Sequence, residues 1–307
     1  MRRRWRLSLT AALLASVCLT ACAAGQDSAL PSAAPKTPTP LPAASPAPPE
    51  AAAAPRDPLP TSSGAAAASP PRGTVPPAWL GTRILPRSEN GFGTVVRTPP
   101  VMRVRRWNTA DAIPMLPGSG FQARMADPAP ASVIARSTWQ AGCPVGADDL
   151  AWLRLTYWGF DDARHSGELL VNRSVSDDLV EVFGQLYAAR FPLESMAITR
   201  QQDLDAPPTG DGNVTGSFAC RPVRGGTQYS QHAYGLAVDL DPFQNPYTNG
   251  DVVLPELASA YLDRNWLRPG MITPDGPVVR AFASIGWGWG GTWSSLKDYQ
   301  HFSLNGR

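Results

Sequence analysis

"SQHAYGLAVDLDPFQNPY", residues 230–247, sets His232 and Asp239 on either side of a glycine and a short apolar run, in a chain with three histidines. Successive side chains of a strand point to opposite faces. On that alternation Leu236, Val238 and Leu240 share one face of the run, and Gly235, Ala237 and Asp239 share the other. The first set is core. The second carries a carboxylate, which is costly to bury unless something pairs with it or coordinates it.

A segment near the C-terminus, "KDYQHFSL" at 297–304, repeats the pattern. There Phe302 and Leu304 fall on one face, His301 and Ser303 on the other, with Asp298 three residues before His301. If the two segments are neighbouring strands, His232, Asp239 and His301 converge. Two imidazoles and one carboxylate suit zinc, with a fourth position left for water. Asp298 is then placed as the outer carboxylate that moves a proton.

Residues 230–239 read SxHxxGxAxD, and "DYQHF" follows at 298–302. This pair of motifs resembles the VanY/VanX-type zinc D-alanyl-D-alanine carboxypeptidases and the related L-alanyl-D-glutamate endolysin peptidases. "NPY" at 245–247 and "GWGWGGTW" at 286–293 are similar to the endolysin-related branch. The resemblance spans residues 136–307, with its specific motifs in 217–247 and 286–304.

It implies an α+β, Hedgehog/DD-peptidase-like fold: a small antiparallel sheet with helices packed on it. It also implies Zn2+ held by His232, Asp239 and His301, with Asp298 as general acid/base. Arg221, in "SFACRPV", matches the family arginine that polarises the scissile carbonyl, although Arg200 and Arg224 also lie upstream of the ligands. A fixed cation stabilises a developing oxyanion even beside a metal. Ser230, Trp289 and Tyr247 are candidates to support the ligands or to touch substrate. The implied reaction is hydrolysis of peptidoglycan stem peptides. Two bonds stay open, a terminal D-Ala-D-Ala link or an L-Ala-D-Glu link. The rival reading is a non-hydrolytic wall-binding lipoprotein module.

Outside these motifs the chain falls into stretches of different composition. Residues 1–22 have a basic start, a short apolar stretch and "LTAC", an export signal ending in a lipobox that would make Cys22 the lipidated anchor. Residues 23–78 hold fifteen of the thirty-three prolines and almost no large apolar side chain, the composition of a disordered tether. Such a tether spans roughly 40 Å as a coil and roughly 170 Å as polyproline II. The expected location is therefore outside the cytoplasm, on the membrane and facing the cell wall.

Residues 79–307 carry twenty Lys/Arg and twenty-two Asp/Glu, which gives no basic surplus for a nucleic acid. No feature calls for more than a monomer. Cys143 and Cys220 remain once Cys18 and Cys22 are assigned to the leader, and in an oxidising compartment they should form a disulfide. Closing that loop contributes about 4 kcal/mol in the chain-entropy model.

Residues 79–135 are expected to be an arm or a small subdomain, with strand-like pieces at 94–97 and 101–104. A strand in "GELLVN" at 167–172 precedes a helix with apolar positions 175, 179, 182, 183, 186 and 187, its N-cap expected at Ser176. That helix should rest on a sheet containing "LESMAIT" and "GLAVDL". Asp177 and Asp178 are read as dipole partners of the helix start, and His165 as an ordinary surface or structural histidine. "SSLK" at 294–297 imitates the SxxK of serine penicillin-binding enzymes but lacks downstream KTG or SDN.

Overall fold

The computed structural model describes residues 73–307 except 90, 224 and 225. The leader, the lipobox at Cys22, most of the tether and Arg224 lie outside the described residues. Helices and small antiparallel sheets alternate along the chain. In order they are β1 (Ala123–Ala126), α1 (Ala131–Ile134), β2 (Leu150–Trp158), β3 (Arg164–Asn172), α2 (Ser176–Ala188) and α3 (Gln201–Asp205). Then come β4 (Ala237–Asp239), β5 (Tyr247–Asn249), β6 (Val252–Leu254), α4 (Pro277–Ser284), β7 (Gly288–Trp289), β8 (Lys297–Asp298) and β9 (His301–Ser303). The architecture is α+β.

Three three-stranded antiparallel sheets result, ordered β1-β2-β3, β4-β9-β7 and β6-β5-β8. The first is the structural floor. Leu153 pairs with Leu169 and Ala151 with Val171, and all four face a core shared with α2, α4, Val238 and Phe302. Leu150 and Leu170 point the other way, into a second cluster with Val133, Ile134 and Phe218. Burial on both faces explains why β2 and β3 are dense in Leu and Val.

On α2 the buried apolar residues are Leu179, Val182, Phe183 and Leu186, one stripe of a 3.6-residue period. The cap differs from expectation. A 3-10 turn, Arg173–Val175, precedes the helix, and Asn172 caps that turn by accepting Ser174 N–H at 3.1 Å. Ser176 is thereby already helical and donates its hydroxyl back to the Arg173 carbonyl at 2.9 Å.

"LESMAIT" is not a strand. It threads between two partners, the Met196 carbonyl taking Glu168 N–H while Ala197 N–H goes to the Thr215 carbonyl, so no ladder forms. The pieces at 94–97 and 101–104 are not strands either, and Pro100–Met102 is a 3-10 turn begun by proline. These residues wrap the body. Leu85, Met102 and Trp107 pack with Phe243, Leu257, Ala258 and Tyr261.

Arg105 fastens this wrap from below. Its side chain is 2% exposed and forks onto Glu194, Nε to Oε2 and Nη2 to Oε1, each at 2.6 Å. Nη1 donates to the Asp211 carbonyl at 2.8 Å, and Asn213 donates to Glu194 Oε2 at 2.7 Å. Asp241 completes the knot by accepting Glu194 N–H at 3.0 Å, while its other oxygen has no partner. Burial first, and then the Glu194 charge, hold the Asp241 carboxyl well above its usual range despite the Glu194 N–H bond and the Arg105 charge. Cys143 and Cys220 are joined as a disulfide with Cα atoms 5.9 Å apart. Among the described residues no helix is long and apolar enough to cross a membrane.

Candidate active site

The site starts with a turn. Ser230 caps the 3-10 turn Gln231–Tyr234, its hydroxyl accepting His232 N–H at 3.3 Å. The turn closes at Gly235, whose φ of +68° and contact with β3 both require glycine. A Cβ there would stand 2.4 Å from Asn172 N, and the Gly235 carbonyl accepts that same N–H at 2.9 Å. His232 is thus positioned against the end of the structural floor. Its Nδ1 lies 2.6 Å from the Ser217 carbonyl, which can only accept, so Nδ1 carries a proton and Nε2 is the nitrogen turned towards the other two groups.

Strands β4 and β9 supply the other two groups. Their register sets Asp239 opposite His301. His301 Nδ1 lies 3.0 Å from Asp239 Oδ1, His232 Nε2 lies 3.3 Å from that oxygen, and the two nitrogens are 3.2 Å apart. Those lengths resemble the edges of a tetrahedron with metal bonds of about 2.0–2.1 Å, roughly 3.3 Å. Two imidazole nitrogens and a carboxylate oxygen so close repel one another unless a metal ion or protons lie between them. The donor set therefore fits a metal ion, and among the described residues it is the one group of its kind.

The electrostatics follow the geometry. Burial alone would raise Asp239; the His232 charge and hydrogen bonds from both imidazoles outweigh it and hold the carboxyl well below the usual range. Burial works against a charged His301, but Asp239 and then Asp298 outweigh it and raise its pKa.

Asp298 sits on β8, paired across to Tyr247 on β5. Its Oδ1 is out of contact with solvent and has no hydrogen-bond partner. Burial first, then the Asp239 charge, push its carboxyl up to about 7, against the opposing pull of His301, Gln300 and Arg221. Gly290 makes room for it: a Cβ there would lie 2.6 Å from the Asp298 carbonyl oxygen and 2.9 Å from its Cβ. At Gly291 a Cβ would meet the Trp289 ring at 2.3 Å. Gly288, Gly290 and Gly291 of "GWGWGGTW" are spacers for close packing, whereas Gly286 has open space around it and a φ of +80°.

Trp289, expected to support ligands or touch substrate, is buried in the core instead. It stacks near Phe302 and donates Nε1 to the Tyr299 carbonyl at 2.9 Å. The tryptophan on the cleft wall is Trp293, its ring centroid 5.6 Å from that of His301.

Ser230, Tyr247, Arg221, His232, His301 and Asp298 all line one cleft of about 1170 Å³. Arg221 is half-buried beside Cys220, whose N–H is fixed by the Thr138 hydroxyl at 2.8 Å and whose sulfur is bonded to Cys143. Arg200 is held by Asp203 at 2.8 Å and does not line the cleft. His165 lies between Asp111 at 2.7 Å and Asp161 at 3.1 Å, apart from the site. Asp177 and Asp178 occupy the exposed first turn of α2. Sequence reading missed the Gly290 cradle and the cleft-lining residues Arg87 and Phe92. The run of closely spaced glycines at 286–291 was the available signal for the first; the second had none.

Residues 224–304 match the family model described as D-alanyl-D-alanine carboxypeptidase. Over those residues the chain is similar to that family. His232, Asp239, Asp298 and His301 all fall within the carboxypeptidase-family segment, whereas Arg221, the disulfide and the N-terminal wrap fall outside it. The match supports a peptidase and does not select a branch of the family. No curated protein and no solved structure matches the chain.

Proposed function

We propose that this chain is a zinc metallopeptidase that hydrolyses peptidoglycan stem peptides, on the fold shared with Hedgehog-type domains. The observation that carries the reading is one cleft holding both halves of the chemistry. Three lone pairs meet within 3.0–3.3 Å, and the carboxyl oxygen of Asp298 stands nearby without a partner. Zinc held by His232, Asp239 and His301 would supply a Lewis acid and lower the pKa of water to about 7.

The remaining work falls to the chain's own groups. Asp298 accepts a proton from the attacking water as its oxygen bonds to the carbonyl carbon. It returns that proton to the nitrogen as the C–N bond breaks. A carboxyl raised to about 7 suits both directions of transfer near neutral pH. Arg221 balances the charge that grows on the carbonyl oxygen. Ser217 holds the His232 tautomer, and Ser230 orders the turn that carries it.

The leader sequence supports export and lipid anchoring at Cys22, with a monomeric catalytic body held on its tether towards the wall. Purified full-length protein is tested on a stem pentapeptide by mass spectrometry, as zinc-loaded, chelated and Asp298→Ala forms. Loss of one alanine identifies a carboxypeptidase; a cut after the first L-Ala identifies an endopeptidase. No product from any form despite bound zinc would overturn the hydrolase and favour a wall-binding module.

A further inference from the structure

The wrap contributes to the cleft as well as to the core. Residues 86–89 and 91–94 are the two arms of a tight hairpin in which Ser88 N–H donates to the Phe92 carbonyl and Thr94 N–H to the Pro86 carbonyl. Its roots are stitched to the body, Leu85 N–H on the Pro208 carbonyl and Val96 N–H on the Glu256 carbonyl. Gly93 is pinned as well. Its N–H donates to Glu256 Oε1 at 2.8 Å, and a Cβ there would overlap that oxygen at 2.6 Å. The hairpin is a fixed wall, and both Arg87 and Phe92 line the cleft that contains Asp298 and the two histidines.

Arg87 is exposed, and among the described residues it makes no ion pair. One guanidinium nitrogen donates to the Gly91 carbonyl at 2.9 Å, which steadies the side chain without neutralising it. Of the acids that line the cleft beside it, Asp203 holds Arg200 and Glu256 takes the Gly93 N–H, and neither pairs with Arg87. A preordered, unneutralised guanidinium in a substrate-sized cleft is built for a planar anion, and bidentate carboxylate recognition is what arginine does best. Resting on the peptidase reading above, we infer that Arg87 is a specificity-determining residue that binds a carboxylate of the substrate peptide. The hairpin would thus select anionic peptides from outside the family segment.

That carboxylate has two sources in a stem peptide, the C-terminal D-Ala or the α-carboxyl of D-Glu. The test uses L-Ala-γ-D-Glu-L-Lys-D-Ala-D-Ala, its C-terminal amide, and its D-isoglutamine form. Binding is measured by titration calorimetry on zinc-loaded full-length protein in an Asp298→Ala background, so the result does not depend on turnover. Arg87→Ala should weaken the acid peptide about tenfold, the scale of one charge-assisted pair at a partly solvated site. It should leave unchanged whichever amide lacks the recognised carboxylate, and that amide identifies the source. Arg87→Lys should restore part of the affinity. An equal loss on all three peptides, no loss on any, or no binding of any peptide to the parent protein would overturn the inference. Failure of the wild type to cleave, with the carboxylate preference intact, would overturn the hydrolase alone.

Discussion

Two clusters of charge are withdrawn from water in this protein, and they are completed in opposite ways. Around Arg105 and Glu194 one cation meets one anion. Each guanidinium nitrogen has an acceptor, both carboxylate oxygens have donors, and the rings of Trp107 and Phe243 lie 4.9 and 4.5 Å from the guanidinium carbon. Around His232, Asp239 and His301 two imidazole nitrogens and a carboxylate oxygen converge within 3.0–3.3 Å, and Asp298 Oδ1 beside them has no hydrogen-bond partner. A closed network spends its polarity on holding the chain together. An open one keeps polarity available for an ion and a proton.

The contrast breaks first at its extremes. Asp298→Ala should lower kcat/KM by about 10³-fold, roughly 4 kcal/mol of barrier, because general acid/base transfer is lost. Zinc stoichiometry by elemental analysis and the urea midpoint should stay unchanged or rise. Glu194→Ala should do the reverse, costing about 3–5 kcal/mol of stability by stranding a buried guanidinium. Urea unfolding measures this, and the folded fraction should still bind zinc. A Glu194→Ala protein as stable as its parent would show that the closed network contributes little.

Gly290→Ala tests whether the open cluster depends on close backbone packing. Its Cβ would have to displace Asp298, so kcat/KM should fall about 10- to 100-fold, at roughly 1–3 kcal/mol of stability. Peptide kinetics beside a thermal melt separate the two effects.

Asp241→Asn is the mildest change and concerns the one carboxylate of the closed network that is left half-satisfied. Because its folded pKa is raised, the native state keeps a proton that the unfolded chain releases above about pH 4. Wild-type stability should therefore carry a penalty that grows by about 1.4 kcal/mol per pH unit from there until the folded group ionises. Asparagine removes that slope and tolerates the φ of +40° found at this position. The variant's advantage should widen with pH in parallel urea titrations. A constant difference would mean that Asp241 is ionised in the fold.

The metal-binding candidates could be read from sequence because they depend on local rules. Strand parity aimed Asp239 and His301, the family resemblance of the two motifs joined them, and the pairing of β4 with β9 meets the condition that the two segments be neighbours. Even there parity had limits: Leu304, assigned to the core face with Phe302, is 45% exposed because the chain leaves the sheet after Ser303. The N-terminal wrap obeys no such rules. Its residues 94–97 look like a strand, but their partners are Pro86 and Glu256 rather than a ladder. Arg105 finds Glu194 across 89 positions and Gly93 finds Glu256 across 163, and neither end of such a pair marks the other. "LESMAIT" has the composition of a strand and loses the geometry, since its backbone hydrogen bonds are divided among the end of β2, β3, Thr215 and the Asp241 side chain.

The roots of the 86–94 hairpin are made of backbone hydrogen bonds, from Leu85 to Pro208 and from Val96 to Glu256. Most residue types can supply such bonds, so the tip between them, Gly93 apart, can be rewritten while the strands bearing His232, Asp239 and His301 stay as they are. The loop behaves like an interchangeable tool head. One hydrolytic body could be refitted for a differently charged peptide by exchanging a handful of residues far from it in sequence.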